Sequence, residues 1–386
     1  MQGKQVLISD MLVRWYFYDI LYQILILQKR GLSLLYTEWI KEIDKTMDRE
    51  VFSRAGDIIR GGGLVAFPTE TVYGLGGDAL NPRSAQRIYA VKGRPSDNPL
   101  IVHICEMADL YRVAACISAA AEKAAHSFWP GPLTMILKKT NLVPKETTGG
   151  LDTVAVRFPD HPVALSLIRA AGGFVAAPSA NTSGRPSPTV GKYVYEDMQG
   201  KIEMLLDGGQ VGIGVESTIL DMTEEIPVIL RPGYVTREML EQVLGQVCLD
   251  PTMFAVGNGM KPKAPGMKYR HYAPRGELTI VTGSEESVRC YICGQLQKEH
   301  AQGHRTGVMV PAEEAQTYQA DSVKVTGQRG DTAAVARDLF KILREFDDEG
   351  IERMYCESVA GEGIGQAVMN RMLKAAGHRV VDADAQ

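Results

Sequence analysis

The stretch from residue 63 to residue 103 constrains the fold more than any other part of the chain. It reads GLVAFPTETVYGLGGDALNPRSAQRIYAVKGRPSDNPLIVH. An apolar strand over 64–67 is predicted to end at Pro68, because proline cannot donate to a sheet ladder. Apolar residues recur at helical spacing over 82–92, and Gly93 is a helix-stop signal. A second strand is predicted over 100–104, so the order strand, helix, strand indicates an α/β fold.

The polar residues of this stretch are predicted to gather in neighbouring loops. The hydroxyl- and glycine-rich run 69–77 follows the first strand, and Lys92 and Arg94 flank the helix exit. Ordinary surface loops also carry charge. Cations, hydroxyls and an amide placed together after strand ends are nevertheless typical of a site for a polyanion such as a nucleoside triphosphate. We expect both cationic side chains to be exposed.

The remaining chain predicts two α/β domains. Over 46–250 strands and helices alternate irregularly, which favours a mixed sheet. Over 277–386 the alternation is regular, which favours a small parallel sheet. Residues 251–276, rich in proline and glycine, are predicted to be a linker. The end of this linker, KYRHYAP at 268–274, is cationic and aromatic, which is unusual for an inert tether.

Residues 1–45 are predicted to be an N-terminal extension. Their apolar and aromatic run is interrupted by Arg14 and Asp19. It therefore falls short of the ~20 mostly apolar residues of a membrane-spanning helix, and it lacks a signal-peptide cleavage pattern. We interpret it as an accessory segment or the product of an upstream start codon. The alternative is a helix lying in a membrane interface.

Charge and cysteine usage narrow the function classes. The net charge of -4 gives no overall attraction to nucleic acid, so an anion site must be local. Six scattered cysteines form no disulfide framework and indicate a reducing cytoplasm. Cys290 and Cys293 form a C-x-x-C without a second pair, and Gly303 interrupts His300 and His304. We expect no metal or redox site there.

The candidate site combines cations, hydroxyls and amides from separate segments. No P-loop motif, Ser-His-Asp order or carboxylate cluster for two metals is evident. A site that only positions its substrates and neutralises their negative charge fits phosphoryl or nucleotidyl transfer. Its candidate residues are Lys92, Arg94, Arg157, Arg231, Thr71, Thr153, Ser179, Ser187, Ser217, Asn98 and Asn181.

Several motifs over residues 48–233 carry a resemblance to a known family. They are PTETVYGLG, KGRPSDNPLIVHI, PGPLT, VAVRFPDHP, APSANTSGRPSPT, GVESTILD and LRPG. Together they closely resemble the YrdC-like family, in particular its threonylcarbamoyl-AMP synthases. PGMKYRHYAP at 265–274 resembles the long form, which has a second C-terminal domain. The resemblance implies a YrdC-like twisted mixed sheet with helices, followed by a smaller Rossmann-like parallel α/β domain.

The resemblance also implies an activity. Members of this family condense L-threonine, bicarbonate and ATP into threonylcarbamoyl-AMP and pyrophosphate, which is nucleotidyl transfer. The product serves threonylcarbamoyladenosine synthesis in tRNA, so a tRNA threonylcarbamoyl transferase is expected to receive it. Magnesium is expected to enter with ATP. The chain is expected in the cytoplasm without a membrane partner, and a weak direct contact with tRNA is left open.

Matching motif positions imply a role for each site residue. Lys92 and Arg94 would offset charge on the phosphates as catalytic residues, and no residue is assigned to a metal. L-threonine would be held by Thr71, His103, Arg157, Ser179 and Ser217. ATP would be held by Arg94, Asn98, Thr153, Asn181, Ser187, Arg231 and Tyr272. Thr189 competes with Ser187 for the same role, and Tyr272 would close over the nucleotide as part of a lid anchored by the second domain.

Two other functions are compatible with parts of the sequence. One is an RNA-binding YrdC-type module without catalysis, although the acidic overall charge and the lack of an aromatic stacking platform count against it. The other is a different carbamoyl-adenylating enzyme, such as the carbamoyltransferases of hydrogenase maturation. Those enzymes carry extra domains with zinc-type cysteine pairs, which this chain lacks.

Overall fold

The structure, a computed structural model, describes residues 35–253 and 272–386. The strands are β1 (Glu38–Ile40), β2 (Val65–Phe67), β3 (Gly74–Asp78), β4 (Ile101–His103), β5 (Ala114–Ala115), β6 (Leu133–Lys139), β7 (Thr153–Arg157), β8 (Val175–Ala176), β9 (Met204–Leu206), β10 (Thr218–Asp221), β11 (Val228–Arg231), β12 (Cys248–Leu249), β13 (Glu277–Thr282), β14 (Thr306–Val310), β15 (Ser322–Val325), β16 (Arg353–Glu357) and β17 (Val380–Asp382).

The helices lie on the faces of the sheets that these strands form. They are α1 (Ile43–Thr46), α2 (Arg49–Arg60), α3 (Pro82–Lys92), α4 (Met107–Val113), α5 (Ala119–Phe128), α6 (Pro162–Ala170), α7 (Gly191–Met198), α8 (Arg237–Leu244), α9 (Glu285–Ala301), α10 (Thr332–Asp348) and α11 (Ile364–Ala375). Short 3-10 turns occur at Pro251–Met253, Ala312–Glu314 and Ala383–Ala385.

Two sheets organise the described residues. The first has the strand order β1-β9-β2-β3-β8-β4-β7-β6-β10-β11-β12, with β5 paired to β6, and mixes parallel and antiparallel pairs. The second has the order β15-β14-β16-β13-β17 and is parallel throughout. The predicted fold class, a mixed sheet followed by a smaller parallel α/β unit, is confirmed.

Helix α3 forms where the sequence predicts it and brings two cations to the site. The Asn81 side chain accepts a hydrogen bond from the backbone of the first turn, and Pro82 suits that turn because it needs no donor there. Gly93 ends the helix in the left-handed region at φ 61°. This stop delivers Lys92 and Arg94 to the loop before β4.

Residues 74–77, predicted to be loop, form strand β3 between β2 and β8. Glycine is generally unfavourable in strands, which is why the run predicts a loop. A Cβ atom at Gly76 would lie 2.9 Å from both Phe67 and Val175 side-chain atoms. The glycine therefore allows close packing within the sheet, which sequence propensity does not reveal.

Part of the predicted N-terminal extension belongs to the first sheet. Strand β1 pairs in parallel with β9, and the Trp39 indole donates a 2.9 Å hydrogen bond to Asp207. Trp39 also stacks on Tyr195. Residues 38–40 therefore complete the sheet edge, whereas residues 1–34, including the proposed interfacial helix, lie outside the described residues. No helix among the described residues is long and apolar enough to cross a membrane.

The two α/β units pack against each other through an apolar cluster. Val72 and Val215 of the first unit, together with Tyr272, lie in one cluster with Leu339 and Phe340 of α10. Gly214 has φ +84°, and a Cβ there would lie 2.3 Å from the Ala336 carbonyl oxygen. The backbone at Gly214 in the first unit therefore lies close to the backbone of α10 in the second unit. Residues 254–271, which hold most of the predicted linker and lid, lie outside the described residues.

Candidate active site

A cavity enclosing about 670 Å³ of empty space, part of it open to solvent, opens beside β4 and β7. Its wall includes the loops around residues 69–74, 177–187 and 216–217. Many of the predicted site residues, which are far apart in sequence, meet there. The predicted residues that line the cavity are Arg94, His103, Arg157, Ser179, Asn181, Ser187, Ser217, Arg231 and Tyr272.

Arg157 lies at one end of the cavity with unused hydrogen-bonding capacity. The last residue of β7, it pairs in register with His103 of β4, and its side chain is buried. Its Nη2 atom lies 2.7 Å from Glu70 Oε1, yet neither Nη2 nor Nε makes a well-oriented hydrogen bond to any described residue. A buried guanidinium with free donors is suited to a ligand carboxylate.

His103 is an uncharged neighbour of Arg157. Its Nδ1 lies 3.1 Å from the Ile101 carbonyl oxygen, and its ring meets Phe67 edge-on. Burial, with Arg157 adding to it, lowers the pKa of His103 to about 3. The imidazole is therefore neutral at physiological pH and offers hydrogen bonds without charge.

Neutral His103 makes folding stability depend on pH. The pKa of His103 is lower in the folded state than in the unfolded chain. Between pH 3 and 6.5 the unfolded chain therefore binds more protons at this position than the folded protein does. The free energy of unfolding falls as the pH drops through that window. Between pH 7.5 and 5, the free energy of unfolding of the wild type should fall by about 2 kcal/mol more than that of His103→Gln. Urea unfolding of both proteins at the two pH values checks this, and equal losses would contradict it.

Arg94 lies on the cavity wall and is half-buried, whereas the sequence predicts an exposed side chain. Its Nε and Nη2 atoms donate to the backbone and side chain of Asn98, and Nη2 also donates to the Pro99 carbonyl. Burial lowers the pKa of Arg94 to about 10, so it stays cationic at neutral pH. Its Nη1 has no hydrogen-bond partner among the described residues, which leaves a donor for an anionic ligand.

Lys92 is buried, whereas the sequence predicts an exposed side chain. Its side chain is 2% exposed and does not line the cavity, because the loop at 179–181 covers the end of α3. Its ammonium donates to the backbone carbonyls of Ser179 and Asn181, both at 2.5 Å. Burial, with Arg94 nearby, holds the pKa of Lys92 well below its usual range. In this geometry Lys92 orients the loop that carries two cavity residues rather than reaching a ligand itself.

Arg231, Ser217 and Glu216 form the opposite wall. The Arg231 guanidinium donates to the Ser217 carbonyl at 3.1 and 3.0 Å and to its hydroxyl at 3.2 Å. Gly233 permits this packing, since a Cβ there would lie 2.3 Å from the backbone nitrogen of the residue after Ser217. This wall is fixed mainly by backbone contacts between two strand ends.

Glu216 is a cavity residue that the sequence reasoning missed. Its Oε1 accepts a 2.7 Å hydrogen bond from Ser187, and its Oε2 accepts one from Arg371 of the second unit at 3.0 Å. Burial alone would raise the pKa of Glu216, but Arg371 and Arg231 outweigh it and lower that pKa to about 2. The GVESTILD motif could have indicated this residue, because it contains a charged residue directly before a predicted apolar strand.

Tyr272 also lies at the cavity, as predicted, whereas residues 268–271 of the predicted lid lie outside the described residues. Its ring stacks on Phe340 with centroids 5.0 Å apart. Burial, with Glu216 adding to it, raises the pKa of Tyr272 to about 12. Tyr272 therefore joins the cavity wall to the second unit.

The other predicted residues lie near the cavity without lining it. Thr71 is fully buried, with its hydroxyl 2.9 Å from that of Thr69, which does line the cavity. Asn98 lies behind Arg94. Thr153 begins β7, four residues before Arg157, and pairs with Lys138, so its position does not support a contact in this cavity. Ser187 lines the cavity and Thr189 does not, which favours Ser187.

Two further charged residues escaped the sequence reasoning. Arg185 lines the cavity and pairs with Asp197. Glu70 faces Arg157. No group of three or more His, Cys, Asp or Glu residues within 35–253 and 272–386 has the arrangement of a metal site.

Family models match both α/β units. Residues 57–233 match the Sua5, YciO and YrdC family, described as "Telomere recombination". Residues 235–377 match the family described as "Threonylcarbamoyl-AMP synthase, C-terminal domain". The two matches follow each other directly and together cover most of the chain.

Relatives and solved structures agree with the family matches. The chain is 48% identical to threonylcarbamoyl-AMP synthase of Pyrococcus abyssi, covering 85% of this chain and 94% of the relative. It is 46% identical, with the same coverage, to the enzyme of that name from Bacillus subtilis. The structure is similar to that of P. abyssi Sua5 complexed with L-threonine, with a TM-score of 0.83, 44% identity, and coverage of 91% of this chain and 99% of the other.

Proposed function

This chain belongs to the threonylcarbamoyl-AMP synthase family in its long, two-domain form, and we propose that it condenses L-threonine, bicarbonate and ATP into threonylcarbamoyl-AMP and pyrophosphate. The observation that carries the proposal is the charge pattern of one cavity. Arg157 presents unused donors at one end, and Arg94, Arg185 and Arg231 lie on the other walls. An amino-acid carboxylate and a triphosphate are the matching anions.

The threonine end of the cavity is proposed to lie between β4 and β7. Arg157 binds the carboxylate in a bidentate fashion, and Glu70 gives up its contact with Arg157 when the substrate enters. Neutral His103 and the hydroxyls of Ser179 and Ser217 hydrogen-bond the rest of the amino acid. Thr71 supports this end through Thr69. The similar P. abyssi structure was solved in complex with L-threonine, which supports threonine as a ligand of this chain.

The ATP end is proposed to lie between Arg94, Arg231 and Tyr272. Asn98 orients Arg94, and Asn181 and Ser187 supply polar contacts from the 179–187 loop. Magnesium bound to the phosphates would neutralise part of their charge, beside the cation of Arg94. Thr153 stays a prediction without a structural argument. Lys92 is a positioning residue in this proposal, because it acts through the backbone carbonyls of the same loop.

The reaction needs no covalent enzyme intermediate. The threonine amine and bicarbonate form a carbamate with loss of water. A carbamate oxygen then bonds to the α-phosphorus of ATP, the bond from that phosphorus to the bridging oxygen breaks, and pyrophosphate leaves. Charge grows on the α-phosphate oxygens and on the pyrophosphate, where fixed cations such as Arg94 stabilise it most. In this proposal the chain acts as a nucleotidyltransferase.

The cellular setting is proposed on chemical grounds. A mixed carbamic–phosphoric anhydride is labile, so a tRNA threonylcarbamoyl transferase should take up the product directly. All six cysteines are unpaired in the structure, which suits a reducing cytoplasm.

Amino-acid selectivity tests the proposed substrate. Pyrophosphate release from ATP and bicarbonate should depend on L-threonine, with kcat/KM for valine lower by about 10³-fold or more and for serine by roughly 10- to 200-fold. A buried hydrogen-bonding group rejects an analogue that lacks the hydroxyl more strongly than a pocket rejects a missing methyl group. Equal rates with valine, or no pyrophosphate release with any amino acid, would contradict the proposal; the latter result would favour a binding module.

A further inference from the structure

Two arginines of the second α/β unit are fully buried and point into the first. Arg344 on α10 and Arg371 on α11 each have side chains that are 0% exposed. Taking a guanidinium out of water is costly unless hydrogen bonds and an opposite charge compensate for it. Apart from a 3.4 Å contact of Arg371 with its neighbour Asn370, the hydrogen-bond partners of both side chains lie more than 130 residues earlier in the chain. Both therefore act between the units.

Arg371 contacts two segments of the cavity wall at once. Its Nε donates to Glu216 Oε2 at 3.0 Å, and its Nη1 donates to the Pro232 carbonyl at 2.5 Å. Glu216 lines the cavity, and Pro232 directly follows Arg231, which also lines it. One planar guanidinium thus sets the separation of the Glu216 loop and the end of β11.

Arg344 makes the corresponding contact with the loop on the other side. Its Nε and Nη2 donate to the Pro186 carbonyl at 3.1 and 2.9 Å, and Nη2 also donates to Asp197 at 2.6 Å. Pro186 immediately precedes Ser187, whose hydroxyl donates to Glu216. The two arginines therefore support the same wall of the cavity: Arg344 holds the residue before Ser187, and Arg371 holds Glu216, to which Ser187 donates.

The part of the threonine end formed by Arg157 and His103 has no such dependence. Arg157 and His103 are held by the β4 and β7 ladder, which belongs wholly to the first sheet. The contact between the units instead runs along the wall that carries Ser187, Glu216 and Arg231, with Tyr272 stacked on Phe340 beside it. Loss of the arginine contacts should therefore disturb one end of the cavity and spare the other.

We propose that Arg371 and Arg344 are positioning residues, by which the docked second unit shapes the nucleotide end of the cavity. This inference rests on the proposed function, because it assigns that wall to ATP. It gives the second α/β unit a direct role at the site.

The test compares Arg371→Met and Arg371→Lys with the wild type in the full chain. Calorimetric titration with ATP alone and with L-threonine alone measures the affinity of each end of the cavity for its own ligand. Arg371→Met should weaken ATP binding by about 30-fold, as expected for loss of charged hydrogen bonds, and change threonine binding by less than about 3-fold. Arg371→Lys should recover only part of the ATP affinity, because lysine lacks the planar fork that reaches Glu216 and Pro232 together.

Two controls separate positioning from general destabilisation. Arg353→Met removes a partly exposed arginine that pairs with Glu277 and Glu299 within the second unit, and should leave both affinities unchanged. The double variant Arg371→Met/Glu216→Gln relieves the unpaired charge, so it should regain thermal stability while ATP binding stays weak. If Arg371→Met does not fold, Arg371→Lys and the double variant decide the question.

The outcomes are distinguishable from those for the proposed function. ATP affinity near wild type in the Arg371 variants, or equal weakening for both ligands, would overturn the inference while threonine-dependent turnover by the wild type still stood. Absence of threonine-dependent turnover by the wild type would instead refute the proposed function.

Discussion

Replacing Arg157 with methionine should lower kcat/KM for L-threonine by about 10³-fold, because two charged hydrogen bonds to the carboxylate are lost. The buried Nε and Nη2 atoms have no well-oriented partner among the described residues, so substrate binding would satisfy them. Steady-state pyrophosphate release at varied threonine measures the effect. ATP affinity should change by less than about 3-fold, since these donors face the other end of the cavity.

Three further variants sharpen this result. Arg157→Lys keeps the charge but not the fork, and should recover little of the loss. Arg157→Met/Glu70→Gln removes the carboxylate that would be left without its cation, which keeps the fold testable. Arg169→Met alters an exposed arginine of α6 and should behave as the wild type. Near-normal kcat/KM for threonine in both Arg157→Met variants would exclude Arg157 as the carboxylate site.

Replacing Arg94 with methionine should lower kcat by about 10²-fold or more, because a fixed cation facing the phosphates is lost. Its hydrogen bonds go to the neighbouring residues 98 and 99, so the fold should survive with little change in Tm. Lys92→Met should lower both kcat and Tm, since the buried carbonyls of Ser179 and Asn181 would lose their donor.

Single-turnover rates and thermal unfolding of the two variants separate these roles. Arg83→Met, an exposed change in the first turn of the same helix, serves as the control. An Arg94→Met enzyme with normal kcat would remove Arg94 from the phosphate site. A Lys92→Met enzyme with normal Tm and low kcat would instead favour direct contact between Lys92 and ATP.

Local sequence signals predicted the framework of the site well. Helix α3 begins after Asn81 and ends at Gly93, and both ends follow from the chemistry of those residues. Periodicity likewise predicted the alternating elements of the second unit, which form a parallel sheet. Short-range rules succeed in such cases because capping, turn conformation and apolar spacing are decided within a few residues.

Tertiary contacts determine the burial and the partners of the charged residues that the sequence did not predict correctly. The spacing at the end of α3 predicts exposure of Lys92, but a loop 87 residues away covers it. Arg344 and Arg371 lie in helices whose stripes of apolar residues are typical of a buried face, and their partners are far away in sequence. Glu216 gains its ion pair with Arg371 only when both units dock. No local pattern reports such partners.

The identity of the product tests the central claim most directly. The chain is incubated with ATP, magnesium, L-threonine and 13C-bicarbonate, quenched within seconds, and analysed by mass spectrometry. The account predicts a threonine-dependent species with the mass of threonylcarbamoyl-AMP, which carries the label of the bicarbonate carbon, together with an equal amount of pyrophosphate. Nucleotide products that form without threonine, or that lack the labelled carbon, would contradict it.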